Sequence, residues 1–238
     1  MFVRLVFTLT VISMLISGCT PTREITYNIS SIQPVSSLES VSVITRGLTL
    51  SIEPFDDIRQ TIPQNGILFV RERETTLNEK DYCINSEEHY KKNSVPYQVA
   101  KIMARHFNKR GTFKYVSSDS NRSSDYYLTG KLRRLYGEQE LSSSARAGSY
   151  FGLIGALATS GATTNGTIAI EFTDLVVHRK SDGAKIKLED VQDRFAGELH
   201  ADAYCWCIYD NVNDQLKLSV DKMAAKIEKS ISTLESTK

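Results

Sequence analysis

TIAIEFTDLVV (167–177), then HRKSDGA (178–184), then KIKLEDVQDRFAG (185–197) reads as two strands joined by a hairpin turn at Ser181, Asp182 and Gly183. The first run is dense in strand-forming apolar residues, and Asp-Gly between two such runs marks a tight turn. Directly downstream the period changes. Val212, Leu216, Val220, Met223, Ile227, Ile231 and Leu234 recur at 3- and 4-residue spacings, which predicts a helix from about 211 to 234 with one apolar stripe. Lys217, Lys222, Lys226 and Glu228 fall off that stripe. Such a helix must bury its stripe, and hairpin-joined strands supply the matching surface.

The same logic extends upstream. DYYLTGKLRRLY (125–136) alternates at Tyr126, Leu128, Gly130 and Leu132 and then slips phase at Arg133 and Arg134, while TFKYVS (112–117) alternates as a shorter strand. Before them, Val95, Val99, Ile102, Met103, His106 and Phe107 share one helical face, with Ser94 able to cap the start and Gly111 following the last turn. Leu48, Leu50 and Ile52 alternate with polar residues as a half-buried strand that Pro54 ends, and a short apolar run occupies 67–70. The order is strand, helix, four strands, helix. It predicts an α/β fold of two layers, a mostly antiparallel sheet with both helices packed on one face.

The amino terminus is of another kind. Residues 1–19, MFVRLVFTLTVISMLISGC, carry Arg4, an apolar run over 5–16, and small residues before a cysteine. The run is shorter than the roughly 20 residues a membrane-spanning helix needs, so it reads as an export signal. Ile16, Ser17, Gly18 and Cys19 resemble the lipobox of bacterial lipoproteins, which implies cleavage before Cys19 and attachment of acyl chains, palmitate among them, to that residue. Each buried acyl methylene contributes about 0.8 kcal/mol, and two or more chains anchor stably. Thr20, where an aspartate would by the same resemblance favour retention, points to the periplasmic face of the outer membrane. The expected organisation is a signal peptide over 1–18, a Ser/Thr/Pro-rich lipidated tether over 19–46 with one short strand at 25–29, and a globular periplasmic domain over 47–238.

With 29 Lys and Arg against 28 Asp and Glu, the total charge suggests neither a nucleic-acid partner nor an electrostatic membrane surface. Export places Cys83, Cys205 and Cys207 in an oxidising compartment, where a disulfide is the default. Cys205 and Cys207 are separated by one residue and would close a strained ring, so Cys83 is expected to pair with one or the other.

LSIEPFDD (50–57), the helix running through VAKI (99–102), GTFKYV (111–116) and SDYYLTGKL (124–132) together resemble the ABC-type transport auxiliary lipoproteins and the lipoprotein activators of peptidoglycan synthases. The resemblance covers roughly 47–136 and implies a membrane-anchored, non-enzymatic auxiliary subunit of an envelope transport or assembly system, with an envelope protein complex as partner. Residues 71–93, charged, and 137–165, apolar and glycine-rich, depart from the pattern.

No catalytic motif is present: no Gly-x-Ser-x-Gly, no His-Glu-x-x-His and no phosphate-cradling glycine loop. No cofactor is expected. His200, Cys205 and Cys207 form the nearest approach to a metal set, completed by Cys83 or His89, which leaves a small-ligand or metal-binding lipoprotein as the alternative; the oxidising compartment favours the disulfide. His106, on an apolar helix face, reads as a packed or hydrogen-bonded core histidine. Tyr150, Phe151, Leu153, Ile154 and Leu157 belong to a contiguous apolar segment that either packs on the sheet or forms an exposed partner surface.

Overall fold

The computed structural model describes residues 24–32, 45–59, 61–64, 67–70, 82–84, 95–119, 123–140, 162–201 and 207–236. Cys19, Cys205, Trp206 and the 150–158 segment lie outside them. The described elements are a 3-10 turn (Ile29–Ser31), β1 (Thr49–Ile52), β2 (Asp56–Asp57), β3 (Thr61–Gln64), β4 (Ile67–Val70), β5 (Tyr82–Ile84), α1 (Val95–Arg110), β6 (Tyr115–Ser117), β7 (Tyr126–Glu140), β8 (Thr163–Arg179), β9 (Lys185–Lys187), β10 (Val191–His200) and α2 (Cys207–Ser236).

The main sheet runs β10-β8-β7-β1-β6, with β2 and β5 also pairing with β7 and β9 with β8. Its long strands are antiparallel. β7 and β8 pair from Tyr126 opposite Arg179 to Gln139 opposite Gly166, and β10 pairs with β8 along its whole length. The amino-terminal part differs from a run of hairpins, because β1 enters between β7 and β6 and is parallel to both. β1, α1 and β6 thus form a crossover unit, the connection that parallel neighbours require. β3 and β4 form a separate two-stranded ladder.

Both helices lie on one face of the main sheet. The stripe of α2 is wholly buried at Val212, Leu216, Val220, Met223, Ile227 and Ile231, and α1 buries Val99, Met103, His106 and Phe107 as its spacing predicts. Gly111, at φ 73°, takes the left-handed conformation that closes α1, its N–H reaching the Phe107 carbonyl at 3.0 Å. The phase slip in β7 corresponds to register shifts after Thr129 and after Leu132.

Three expectations need correction. β1 is more enclosed than a half-buried strand: Leu50 and Ile52 are buried as expected, Thr49 and Glu53 on the polar side are half-buried, and Ser51 between them is 1% exposed because its hydroxyl donates to the Asp119 carbonyl that covers it. Pro54 interrupts the strand without ending the pairing, since β2 resumes along β7 and Phe55 packs at 5.1 Å on Phe172. The third concerns the tether. Residues 25–29 are not a strand: Ile25, Tyr27 and Ile32 are buried in the main core, and the chain runs over the helices as a strap. The alternation of apolar residues there serves helix packing instead of a sheet edge.

Candidate functional site

The strap is held at three points. The Ile25 N–H donates to Gln98 Oε1 at 3.3 Å, the Glu24 carbonyl accepts from Asn213 Nδ2 at 3.1 Å, and the Tyr27 hydroxyl stands 2.8 Å from His106 Nδ1. One contact is to α1, one to α2, and the last reaches a fully buried imidazole whose Nε2 lies 2.9 Å from Asp221 Oδ1 on α2. The carboxylate only accepts, so Nε2 carries the ring proton toward it and Nδ1 accepts from Tyr27. Strap, α1 and α2 are thereby joined by one Tyr-His-Asp chain.

Electrostatics around it are consistent with a neutral ring. Burial holds the His106 pKa below its ordinary value; Asp221 opposes that shift, while Arg110 and Lys217 assist it. Burial also pushes the Tyr27 hydroxyl far up, so it remains a donor. Arg110 lies 3.9 Å and Lys217 3.7 Å from Asp221, and Arg110 also meets Glu228 at 3.0 Å. Enclosed on all sides, the imidazole is an anchor, in agreement with the reading of His106 as a hydrogen-bonded core histidine. Tyr27 and Asp221 carried no such signal in the sequence, because their partner lies far along the chain.

The cysteine end of the molecule is organised by β5. Cys83 is 5% exposed and sits opposite Gln139 in the ladder. Gln139 Nε2 donates to the His200 carbonyl at 2.7 Å, and Asn211 Nδ2 from the first turns of α2 donates to the same oxygen at 2.9 Å. Cys83 is disulfide-bonded, and Cys207 keeps its thiol, so the partner of Cys83 is outside the described residues and is not Cys207. A thiol held in a disulfide is removed from any ligand set with His200 and Cys207. His200 itself is exposed at the end of β10. Among the described residues no group of three or more His, Cys, Asp or Glu side chains is placed to hold a metal ion. None of the described helices is long and apolar enough to cross a membrane.

No family model matches the chain, and no curated protein matches it. Solved structures with a similar course of chain include a Xanthomonas campestris protein of family DUF330, at 12% identity and a TM-score of 0.42 over 79% of this chain and 89% of that one. An uncharacterized protein aligns at 10% identity and a TM-score of 0.38 over 77% and 93% of the two chains. PelC from Paraburkholderia phytofirmans, a dodecamer, aligns at 8% identity and a TM-score of 0.31 over 74% and 86%. At these values the likenesses assign no role to any residue described above.

Beside the Tyr-His-Asp chain, the strap and α1 enclose an open cleft of about 280 Å³, lined among others by Glu24, Gln98, Lys101 and Arg105. A second groove of about 380 Å³ lies between α2 and the sheet, where Phe195, Leu199, Gln215 and the half-exposed Leu218 meet.

Proposed function

We propose that this chain is an acylated lipoprotein domain on the periplasmic face of the outer membrane, which acts by binding as an auxiliary subunit of an envelope transport or assembly system and catalyses no reaction. The observation that carries the reading is Ser17-Gly18-Cys19 at the end of a short apolar run, followed within a few residues by Ile25, already buried in the core. A chain that packs this soon after the cysteine leaves little free linker, so an acylated Cys19 would hold the domain close against its membrane. Partner contact is assigned to Tyr150, Phe151, Leu153, Ile154 and Leu157, whose contiguous apolar character suits docking.

Metabolic labelling with a palmitate analogue tests the reading. The wild-type protein is expected to take up label and to fractionate with membranes, and Cys19→Ala to lose the label. Label persisting in Cys19→Ala, or a wild-type protein recovered unlabelled in the soluble periplasm, would sink it.

A further inference from the structure

The exposed side of α1 consists of Lys101, Arg105, Asn108 and Lys109, flanked by half-buried Tyr97 and Arg110, and the helix contains no acidic residue. Tyr97, Lys101, Arg105 and Lys109 stand four residues apart, which sets them in one row along the helix. None of the three row cations is ion-paired with a described residue, whereas the neighbouring Arg110 is tied to Glu228 and Asp221. The near-neutral total charge of the chain conceals this local excess.

The row begins where the strap begins. Lys101 and Arg105 line the cleft that Glu24 also borders, and Glu24 contributes the carboxylate among the lining residues. Four residues separate Glu24 from Cys19. An extended chain spans at most about 3.5 Å per residue, so Cys19 lies within about 18 Å of that point. Acyl chains on Cys19 would therefore bring the bilayer to the same side of the molecule as the cationic row.

We infer that the Tyr97, Lys101, Arg105 and Lys109 face of α1 is a membrane-docking surface that binds the phosphate groups of anionic phospholipids. The inference rests on acylation of Cys19 for its orientation and adds to it a second, electrostatic attachment. Clustered Lys and Arg next to an anchor attract anionic headgroups within a Debye length, and a tyrosine at the start of the row suits the interfacial zone. Paired with an acyl chain, such a patch converts a swinging tether into a fixed orientation of the domain.

The test uses the chain from Thr20 onward, which carries no acyl group and retains all of the described core. It is floated with vesicles of phosphatidylcholine alone and of phosphatidylcholine mixed with phosphatidylglycerol. Binding is expected on the mixed vesicles only, weakening as salt is raised. Replacing the row by Lys101→Gln, Arg105→Gln and Lys109→Gln is expected to lower it about tenfold or more. Lys180→Gln, Lys185→Gln and Lys187→Gln, on either side of the Asp182-Gly183 turn, remove the same charge and should leave binding unchanged. Circular dichroism confirms that each variant is folded. Binding without dependence on phosphatidylglycerol, or equal losses in the two triple variants, would overturn the surface. Absence of palmitate label on the wild-type chain alongside row-dependent vesicle binding would instead remove the acylation reading and leave the surface standing.

Discussion

The Tyr27 hydroxyl and His106 Nδ1 are 2.8 Å apart and join the amino-terminal strap to a helix that begins 68 positions later in the chain. Because His106 also lies 2.9 Å from Asp221, one imidazole ties together the three segments that cover this side of the core. Tyr27→Phe would leave Nδ1 buried without its donor. The expected cost is about 1–3 kcal/mol, since an unsatisfied buried polar atom loses its compensation. In a domain of this size that lowers the melting temperature by roughly 2–10 °C. Hydrogen exchange should place the loosening in residues 24–32. An unchanged melt with unchanged strap protection would show that the contact contributes nothing.

The same cluster predicts a pH dependence of stability. Burial depresses the folded-state pKa of His106 below its unfolded value of 6.5. Between those two values the unfolded chain binds more protons than the folded one, so stability rises with pH across the window. The contribution is fully present above about pH 6.5 and is lost progressively as pH falls toward the lower folded value. Tyr27, Asp221, Arg110 and Lys217 surround the ring, and none of them reverses that sign. Melting curves between mildly acidic and neutral pH are expected to show a slope that His106→Gln flattens. An equal slope in the variant would assign the dependence to other groups.

Gly137 lies where α2 crosses β7. A Cβ added there would stand 2.5 Å from Val212 Cγ2 and 3.0 Å from Ile208 Cδ1, closer than van der Waals contact allows. Gly137→Ala should therefore destabilise by about 1–3 kcal/mol through overpacking. Val212→Ala removes the nearest obstructing atom, so the double variant is expected to be more stable than the sum of the single losses implies. Strict additivity in urea unfolding would contradict the close approach.

The state of the cysteines predicts the bridge. Cys83 is disulfide-bonded, Cys207 keeps its thiol, and an acylated Cys19 is unable to pair, which leaves Cys205. Peptide mapping without reductant is expected to yield a Cys83–Cys205 peptide. A loop of more than a hundred residues contributes about 4–5 kcal/mol in the chain-entropy model, so Cys205→Ser should melt well below the wild type. A Cys83–Cys207 peptide would overturn the assignment.

Leu153→Asp and Leu157→Asp test the partner surface. The expected result is a near-normal melt together with loss of crosslinks to envelope proteins, because a charge on an exposed patch blocks docking without entering the core. A collapse of the melt would place the segment in the core, where an unpaired charge costs several kcal/mol.

Periodicity alone determined the two layers of this protein. The stripes of α1 and α2, the β8 run with its Asp-Gly turn, and the phase slip at Arg133 and Arg134 are local patterns, set by which side chains can face water along 3.6- or 2-residue repeats. The expectation of an export signal ending at Cys19 rests on an equally local pattern. Sequence could not decide which strands become neighbours: β1 enters between β6 and β7 because the α1 crossover returns the chain there, and the burial of Ser51 on its polar side comes from the Asp119 carbonyl that its hydroxyl meets. The meaning of Ile25 and Tyr27 was likewise decided by tertiary structure. Their alternation looks the same whether they line a sheet or a helix pair, and the surface that buries them is built from residues 73 and 79 positions away, at Gln98 and His106.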